Sequence, residues 1–432
     1  MRVTVIGAGI GGLALAQALH RADIDVVVHD RDAHVGATGG YRLALDRPAC
    51  EMLRRHLGPA HYQALLGSSA PPSASRTLTL ADHRLRPLAE QTFDPADEAL
   101  FIGRVPLRTL LAEGLGDRVR FASTYRDHEV RSDGRVVTHF DDGTTEVSDV
   151  LVGADGVRSR VAATLAGRPT STPCDYGCIA ARIPLTAEVR RRLPAMLADG
   201  PGLAQGPGGL GLFLTAHDPA AGATVDPATC REVAAITEAP ALVWGLIGPE
   251  AVLRPGGTAL AAGALVAHAR HVLRGWSPAL LDLVAATDVD TAAYFGYHTC
   301  DPDGDLTPWP AGPVTALGDA VHAMPPTGGG SAATAIRDAG HLADELVAAR
   351  DGTTTIPLAT LRFQQTMAGY APSRVRDALG LLRSMQRLSH PVASGVARVG
   401  LPAVAAWHRV RTSLTGSGRP GSAVADHARV VS

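Results

Sequence analysis

The sequence predicts an α/β fold: a discontinuous, Rossmann-like unit built on a parallel sheet, an inserted mixed β-sheet domain and C-terminal helices. Three observations predict it. First, a β-branched run at 2–6 leads into Gly7-Ala-Gly-Ile-Gly-Gly12, then an Ala/Leu-rich helix to about residue 21 and a second apolar strand, Val26 to His29. Short strands that are apolar throughout and flank a helix read as parallel strands buried on both faces. Second, from about 173 to 300 strand-like runs (177–184, 209–217, 240–247 and 293–299) dominate, with helices only near 186–198 and 257–274. Third, Val314-Thr-Ala-Leu-Gly-Asp319 and a helix at 331–349 return to the character of the first unit. The chain therefore leaves that unit and comes back to it.

The remaining elements follow in order. A glycine-broken loop, Gly39-Gly40-Tyr41-Arg42, precedes a helix at 46–57. Segment 68–98 is rich in Pro, Ser and charge and carries a strand pair at Thr77–Leu80 and Arg84–Leu88. After a helix at 104–115, strands at 118–122, 127–131 and 135–140 are separated by turns at Asp133-Gly134 and Asp142-Gly143, which gives an antiparallel meander. Strand 147–152 runs into Gly153-Ala-Asp-Gly156, and helices at 357–388 and 400–413 finish the chain. The Rossmann-like unit then comprises 1–72, 101–172 and 301–350, the inserted domain 173–300 with 73–100 as its strand pair, the C-terminal helices 351–418, and a flexible tail 419–432.

Composition narrows the chemistry. All 40 basic residues among the 432 are arginine, and there is no asparagine. Without lysine there is no Schiff base, no lysine nucleophile and no Walker A lysine. A formal net charge of −2 gives no basic field for nucleic acid. The five cysteines (50, 174, 178, 230, 300) are odd in number and scattered, which suits reduced thiols rather than a disulfide framework or a metal site. The sequence enters a strand at once without a signal-peptide layout, and no apolar stretch reaches a spanning length, so the expected location is the cytoplasm. The apolar stretch 392–406, flanked by arginine, reads as a tail helix packed on its own core, with peripheral membrane contact as the other option.

Gly7-x-Gly9-x-x-Gly12 lies between a strand and a helix. Gly7 permits the tight turn, Gly9 lets the backbone approach a pyrophosphate, and Gly12 permits close helix–strand packing; the helix N-terminus offers its free N–H groups to the phosphates. Asp30, 23 residues beyond Gly7, suits a carboxylate on a ribose diol, close to the spacing of about 20 expected. These residues point to dinucleotide binding but do not by themselves choose between NAD and FAD.

Two later motifs make that choice. Gly153-Ala-Asp155-Gly-Val-Arg-Ser159 follows a strand and opens a helix, and Gly318-Asp319-Ala-Val-His322-Ala-Met-Pro-Pro326 is followed by the glycine loop and helix Gly328-Gly-Gly-Ser331-Ala-Ala-Thr-Ala-Ile-Arg-Asp-Ala339. In this order and spacing they resemble the single-component FAD-dependent aromatic hydroxylases of the para-hydroxybenzoate hydroxylase type, over nearly the whole chain. The resemblance implies that fold, with bound FAD, NAD(P)H and O2 as co-substrates, and a small-molecule substrate. It leaves the oligomeric state open. It implies that Gly7, Gly9, Gly11, Gly12, Asp30 and Arg31 meet the adenosine and pyrophosphate end, and that Arg104 reaches the phosphates. Asp319 would hold the ribityl chain, Pro326, Gly329, Gly330 and Ser331 would approach the flavin ring, and Arg42 and Asp155 would lie beside it. Other readings stay open: Asp155 as a helix N-cap, Arg104 as a surface ion pair, Arg42 as a solvated loop charge, and Arg108 as a helix-face charge. Two positions depart from the family, Ala333 where an asparagine is common and Arg337 where many relatives carry glutamate.

No catalytic constellation of the protein's own stands out, as expected where a cofactor carries the hard step. The resemblance implies reduction of FAD by NAD(P)H, a flavin C(4a)-hydroperoxide, and hydroxylation of an electron-rich ring inside a closed apolar pocket. Candidate liners on the inserted domain are Arg182, Phe213, His217, Trp244, Tyr294 and Tyr297, each of which could instead be packing. His217 or His298 could take a phenolic proton. A polycyclic or polyketide-like phenol is the favoured substrate class, and the arginine- and alanine-rich composition suggests a high-GC bacterial genome and secondary metabolism. Epoxidation, Baeyer–Villiger oxidation or oxidative rearrangement with the same cofactor is the first rival. A flavin-dependent reductase without oxygen transfer is the next, and a non-catalytic flavin-binding protein the last.

Overall fold

The computed structural model describes residues 1–40, 42–70, 75–93, 99–219 and 223–388; the helix expected at 400–413, the stretch 392–406 and the tail 419–432 lie outside them. A five-stranded sheet has the order Val314–Ala316, Val150–Gly153, Arg2–Ile6, Asp25–His29, Val119–Arg120, with every pairing parallel. Its three central strands are buried on both faces, which is why they read as unbroken apolar runs. The helices Ile10–Arg21 and Ser331–Arg350 pack on one another, and the antiparallel strands Tyr125–Val130, Val136–Phe140 and Thr145–Ser148 form a meander. The strand expected at 118–122 as its first member pairs instead in parallel with Asp25–His29, and the strand expected at 147–152 is divided between the meander and the parallel sheet.

A seven-stranded sheet has the order Asp288–Thr299, Thr172–Pro184, Ala241–Pro249, Gly211–His217, Gly202–Gln205, Thr77–Asp82, Pro87–Thr92. The pair Thr77–Asp82 and Pro87–Thr92 thus sits at one edge of the sheet that 172–299 builds. Helices Ala262–Val272 and Pro278–Ala285 cover one face of this sheet. Ile179, Ala181, Ile183, Leu212, Leu214, Leu242, Trp244 and Leu246 pack into that core. The alternation along each strand sends the intervening residues to the other face.

The structure differs from the sequence expectation where an interruption is short. The helix expected at 186–198 stops at Arg191, with a separate turn after Pro194, because proline cannot continue a helix. The helix expected at 357–388 is two, Ile356–Ala368 and Ala371–Leu388, divided at Gly369-Tyr370. The helix expected at 257–274 is shortened to Ala262–Val272, and the strand expected at Arg84–Leu88 is displaced to Pro87–Thr92 by a turn over 83–86. The helix Pro59–Gly67 and the two-stranded ribbon Arg42–Leu45 with Leu100–Gly103 had no sequence signal. That ribbon is held by the partner strand rather than by local propensity.

Candidate cofactor and substrate site

The glycine turn is built as its spacing requires. Gly7 has φ +109° and its N–H donates to the His29 carbonyl at 2.7 Å. A Cβ on Gly7 would overlap the Ala154 carbonyl, and one on Gly12 would overlap the Gly7 carbonyl oxygen. Nothing lies within 4 Å of where a Cβ on Gly9 would stand. Gly9 is the N-cap of the helix Ile10–Arg21 and brings no side-chain cap, so the first-turn N–H groups have no side-chain acceptor at their head. This open cradle, with positive potential at a helix N-terminus, fits a pyrophosphate. Gly11 serves packing instead: a Cβ there would meet Leu317 Cδ1 at 2.8 Å and Ala335 Cβ at 3.1 Å.

Asp30 is buried beside this turn. Its Oδ2 accepts from Ala8 N at 2.5 Å and Arg108 Nη2 at 3.2 Å, and its Oδ1 accepts from Asp32 N at 2.7 Å. Arg108 is the residue the sequence undervalued. It is 2% exposed, donates through Nε to the Ala8 carbonyl at 2.7 Å and through Nη1 to Asp32 at 2.8 Å, and so ties the glycine turn to the acidic strand end. The signal was available: Arg108 falls four residues after Arg104, on the same helix face. Arg31 is exposed.

The other motifs converge on the same edge. The Asp155 carboxylate accepts from Ser159 Oγ at 2.5 Å and Arg160 N at 2.8 Å, so it caps the start of the helix Arg160–Ala166, while Ala154 backs the Gly7 turn. Burial holds the Asp155 carboxyl above its usual range despite those hydrogen bonds. Asp319 opens a short helix and accepts from Ser331 Oγ at 2.7 Å. That bond links the Gly318-Asp319 turn to the head of the helix Ser331–Arg350, whose N-cap Gly330 also brings no side-chain cap. Pro326 starts a turn ending at Gly329, with φ +65°. Arg104 lies against Gly40, and burial lowers its guanidinium while the charge of Asp319 opposes the shift. The set of backbone amides, arginine and the Asp319 carboxylate fits FAD, whose phosphates the amides and the cation would hold, with the ring toward 326–331.

Arg42 is not a solvated charge. It donates to Thr215 Oγ1, to the Ala216 carbonyl at 3.0 Å and to Ser75 Oγ at 3.1 Å, and its guanidinium stands 4.0 Å over the Phe101 ring. Burial lowers it to about 10, so it is cationic at neutral pH. It therefore joins the ribbon to the open face of the seven-stranded sheet. On that face lie Phe213, Thr215 and His217, alternate residues of one strand, with Arg182, Cys178 and Phe295. His217 Nε2 stands 3.3 Å from Glu238 Oε2, and Arg182 donates to Glu238 Oε1 at 2.9 Å. Burial pushes the Glu238 carboxyl up, but the His217 hydrogen bond and the Arg182 charge outweigh it and hold it below the usual glutamate range. A Cβ on Gly103 would overlap this carboxylate, so the cluster sits against the ribbon that carries Arg42 and precedes Arg104. Glu238, Phe101 and Phe295 lie in segments without a motif, and nothing in their local sequence singles them out.

Tyr297 is on the same face, buried with Cys178, Leu382 and Met385. Trp244 and Tyr294 are on the other. Trp244 pairs with Leu214 in register, is fully buried in the helix-covered core and donates through Nε1 to Thr287 Oγ1 at 2.9 Å. Tyr294 pairs with Ile179 and stacks with Arg254. One step along a strand reverses the face, and strand membership alone did not supply that parity. Among the described residues no group of His, Cys, Asp or Glu could hold a metal ion, and no helix is long and apolar enough to cross a membrane.

Fold and site together define a flavin-binding α/β protein with one parallel dinucleotide sheet and a second, mixed sheet. Comparison with known proteins agrees. A family model described as an NAD(P)-binding Rossmann-like domain matches residues 5–51, and one described as an FAD binding domain matches residues 301–358. The chain is 30% identical over 389 residues to the dual O-methyltransferase/FAD-dependent monooxygenase elcB of Phaeosphaeria nodorum, covering 79% of this chain and 39% of that protein. It is 26% identical to chloroplastic zeaxanthin epoxidase of Oryza sativa, covering 97% and 64%. A solved structure from Photorhabdus luminescens, assigned as an FAD-containing monooxygenase, superposes with a TM-score of 0.75 at 28% identity, covering 90% of this chain and 98% of that one. The chain spans 39% to 46% of the length of the first curated relatives it matches. The chain is similar to FAD-dependent monooxygenases and has the para-hydroxybenzoate hydroxylase type of fold.

Proposed function

We propose that this protein is an NAD(P)H-consuming monooxygenase that hydroxylates an aromatic or polyketide-like small molecule carrying an acidic hydroxyl, in secondary metabolism and in the cytoplasm. The carrying observation is the polar cluster Arg42, His217, Glu238 and Arg182 at one end of a face otherwise built from Phe213, Phe101, Phe295 and Cys178. Gly39 borders that face, where a Cβ on it would meet Phe295 Cε1 at 2.9 Å, and Gly329 lies against Ala44 of the ribbon that carries Arg42. The helix Ala371–Leu388 closes it through Leu382 and Met385. Bound FAD would supply hydride acceptance and oxygen activation.

The residues do the rest. The apolar face holds a flat ring by burial and excludes water. Arg42 stabilises developing negative charge on a substrate oxygen. Glu238 lies on the Nε2 side of His217 and favours the Nε2–H tautomer. This leaves His217 Nδ1, which has no partner among the described residues, to accept the hydroxyl proton, so that electron density moves into the ring. His298 is half-buried, with its Nδ1 3.4 Å from the Gly296 carbonyl. The likeness to zeaxanthin epoxidase favours a second reading, in which an alkene on the same face is epoxidised.

The test is to purify the protein, record its flavin spectrum, and screen phenols and polyenes for stimulated NAD(P)H consumption. Labelled oxygen from O2 in a ring hydroxyl supports the first reading and in an epoxide the second. Substrate turnover without oxygen would overturn both.

A further inference from the structure

Behind the Gly318-Asp319 turn lies a buried polar cluster that neither the proton transfer nor the cofactor contacts employ. The Asp338 carboxylate, 0% exposed, accepts from three groups: Gly318 N at 2.8 Å and His322 Nε2 at 2.6 Å on Oδ2, and Tyr370 Oη at 2.5 Å on Oδ1. His322 is also 0% exposed, and its Nδ1 has no partner among the described residues. Arg337 stands 3.9 Å over the Tyr370 ring, which gives a place to the position that departs from the family. One carboxylate thus joins the flavin-ribityl turn, the long helix that follows it, and the joint between the two C-terminal helices.

We infer that His322, Asp338 and Tyr370 form a proton-dependent clamp on the Gly318-Asp319 turn, with His322 as a positioning residue that sets how firmly FAD is retained. A buried carboxylate is tolerable only when it is fully hydrogen-bonded and its charge is compensated. Here the compensating charge is the imidazolium. Without that proton the carboxylate keeps its hydrogen bonds but loses its one buried counter-charge among the described residues. The turn that presents Asp319 is held by the same carboxylate, through the Gly318 N–H, so it loosens with the cluster. Burial pushes the His322 imidazole down, but the charge and hydrogen bond of Asp338, helped by Asp319, outweigh it and leave it above its usual value. Tyr370 is pushed far up by burial and by Asp338, so it stays a donor.

The sign follows. A histidine raised in the folded protein contributes fully below its unfolded value, and the contribution is lost as pH rises through the folded value. FAD retention should therefore fall on the alkaline side. The other charged or titratable groups nearby are few. Asp319 lies on the short helix itself, and His341 and Arg337 on the long helix. Cys300 donates its N–H to the Ala323 carbonyl. Arg158 and Arg160 lie on the elements packed against the short helix, and Arg160 is bonded to the Tyr125 carbonyl. On the helix Ala371–Leu388, Arg374 and Arg376 pair with Asp46 and Asp303, and Asp377 completes the set.

The inference needs FAD binding but not any particular reaction. Its test is the FAD dissociation constant of the full chain, read from flavin fluorescence between pH 6 and 10. Wild type should bind at least tenfold more weakly at the alkaline end. His322→Gln keeps a hydrogen-bond donor without a charge; it should bind about tenfold more weakly at pH 6 and lose most of the pH dependence. Should His322→Gln fail to fold, Tyr370→Phe decides: with one donor fewer the Asp338 charge bears harder on His322, and the loss of FAD should shift to higher pH than in wild type. A flat wild-type profile, or variants whose profiles overlay wild type, would overturn the clamp while leaving FAD binding intact. Absence of FAD binding at every pH would sink the cofactor assignment itself.

Discussion

The two sheets use their residues in opposite ways. In the parallel sheet the strands are structural and the chemistry begins where each one ends: Gly7 follows Ile6, Asp30 follows His29, Ala154 follows Gly153, and the Gly318-Asp319 turn follows Ala316 and Leu317. Contacts there come from backbone amides and from glycines whose missing side chains leave room, as is general at the carboxyl ends of parallel strands. In the seven-stranded sheet the proposed substrate chemistry lies along the strands, as side chains on one face, while the other face is packed against helices. The first arrangement depends on residue order along the chain. The second depends on register between strands far apart in sequence.

Substitutions can break this comparison. The largest effect is expected at the glycine turn. Gly12→Val forces a side chain into the Gly7 carbonyl and should yield no soluble folded protein. Gly9→Val, at an open position, should fold with a melting temperature close to wild type and bind no flavin. Equal stability of the two variants would contradict the division of roles. Next is Trp244→Ala, which empties a fully buried site in the helix-covered core and should cost about 3–5 kcal/mol in denaturant unfolding, with FAD affinity within about twofold. Smaller is Asp319→Ala, which removes the acceptor for Ser331 and the proposed ribityl contact. It should weaken FAD binding by about 10- to 100-fold, in line with a lost hydrogen bond of roughly 1–3 kcal/mol. The smallest effect on stability is expected for Phe213→Ala, on the open face and half-buried, at about 1 kcal/mol or less. Its main effect should be a rise in KM for the aromatic substrate, and an unchanged KM would remove Phe213 from the pocket.

How much was legible follows from the same contrast. The strand–glycine turn–helix start, the two later motifs and the mixed second sheet were readable because each is a local pattern. Alternation within a strand is local too, and it sets Phe213, Thr215 and His217 on one face. Trp244 and Tyr294 were misplaced because their facing depends on pairing with Leu214 and Ile179. Arg108 was undervalued and Glu238 missed for a related reason. Both act on groups distant in the chain, Arg108 on Ala8 and Asp30, and Glu238 on Arg182 and His217.

The absence of lysine excluded amine chemistry, and the glycine spacing with the order of the three motifs gave the cofactor class through the family they resemble. Those features act through backbone geometry and residue chemistry, which travel with the sequence. Only the tertiary structure decided which charges are used. Burial turns Arg42, Arg108, Glu238 and Asp338 from ordinary surface residue types into paired or compensated charges. Burial is a property of what the rest of the chain places around a residue, not of the residue or its neighbours in sequence.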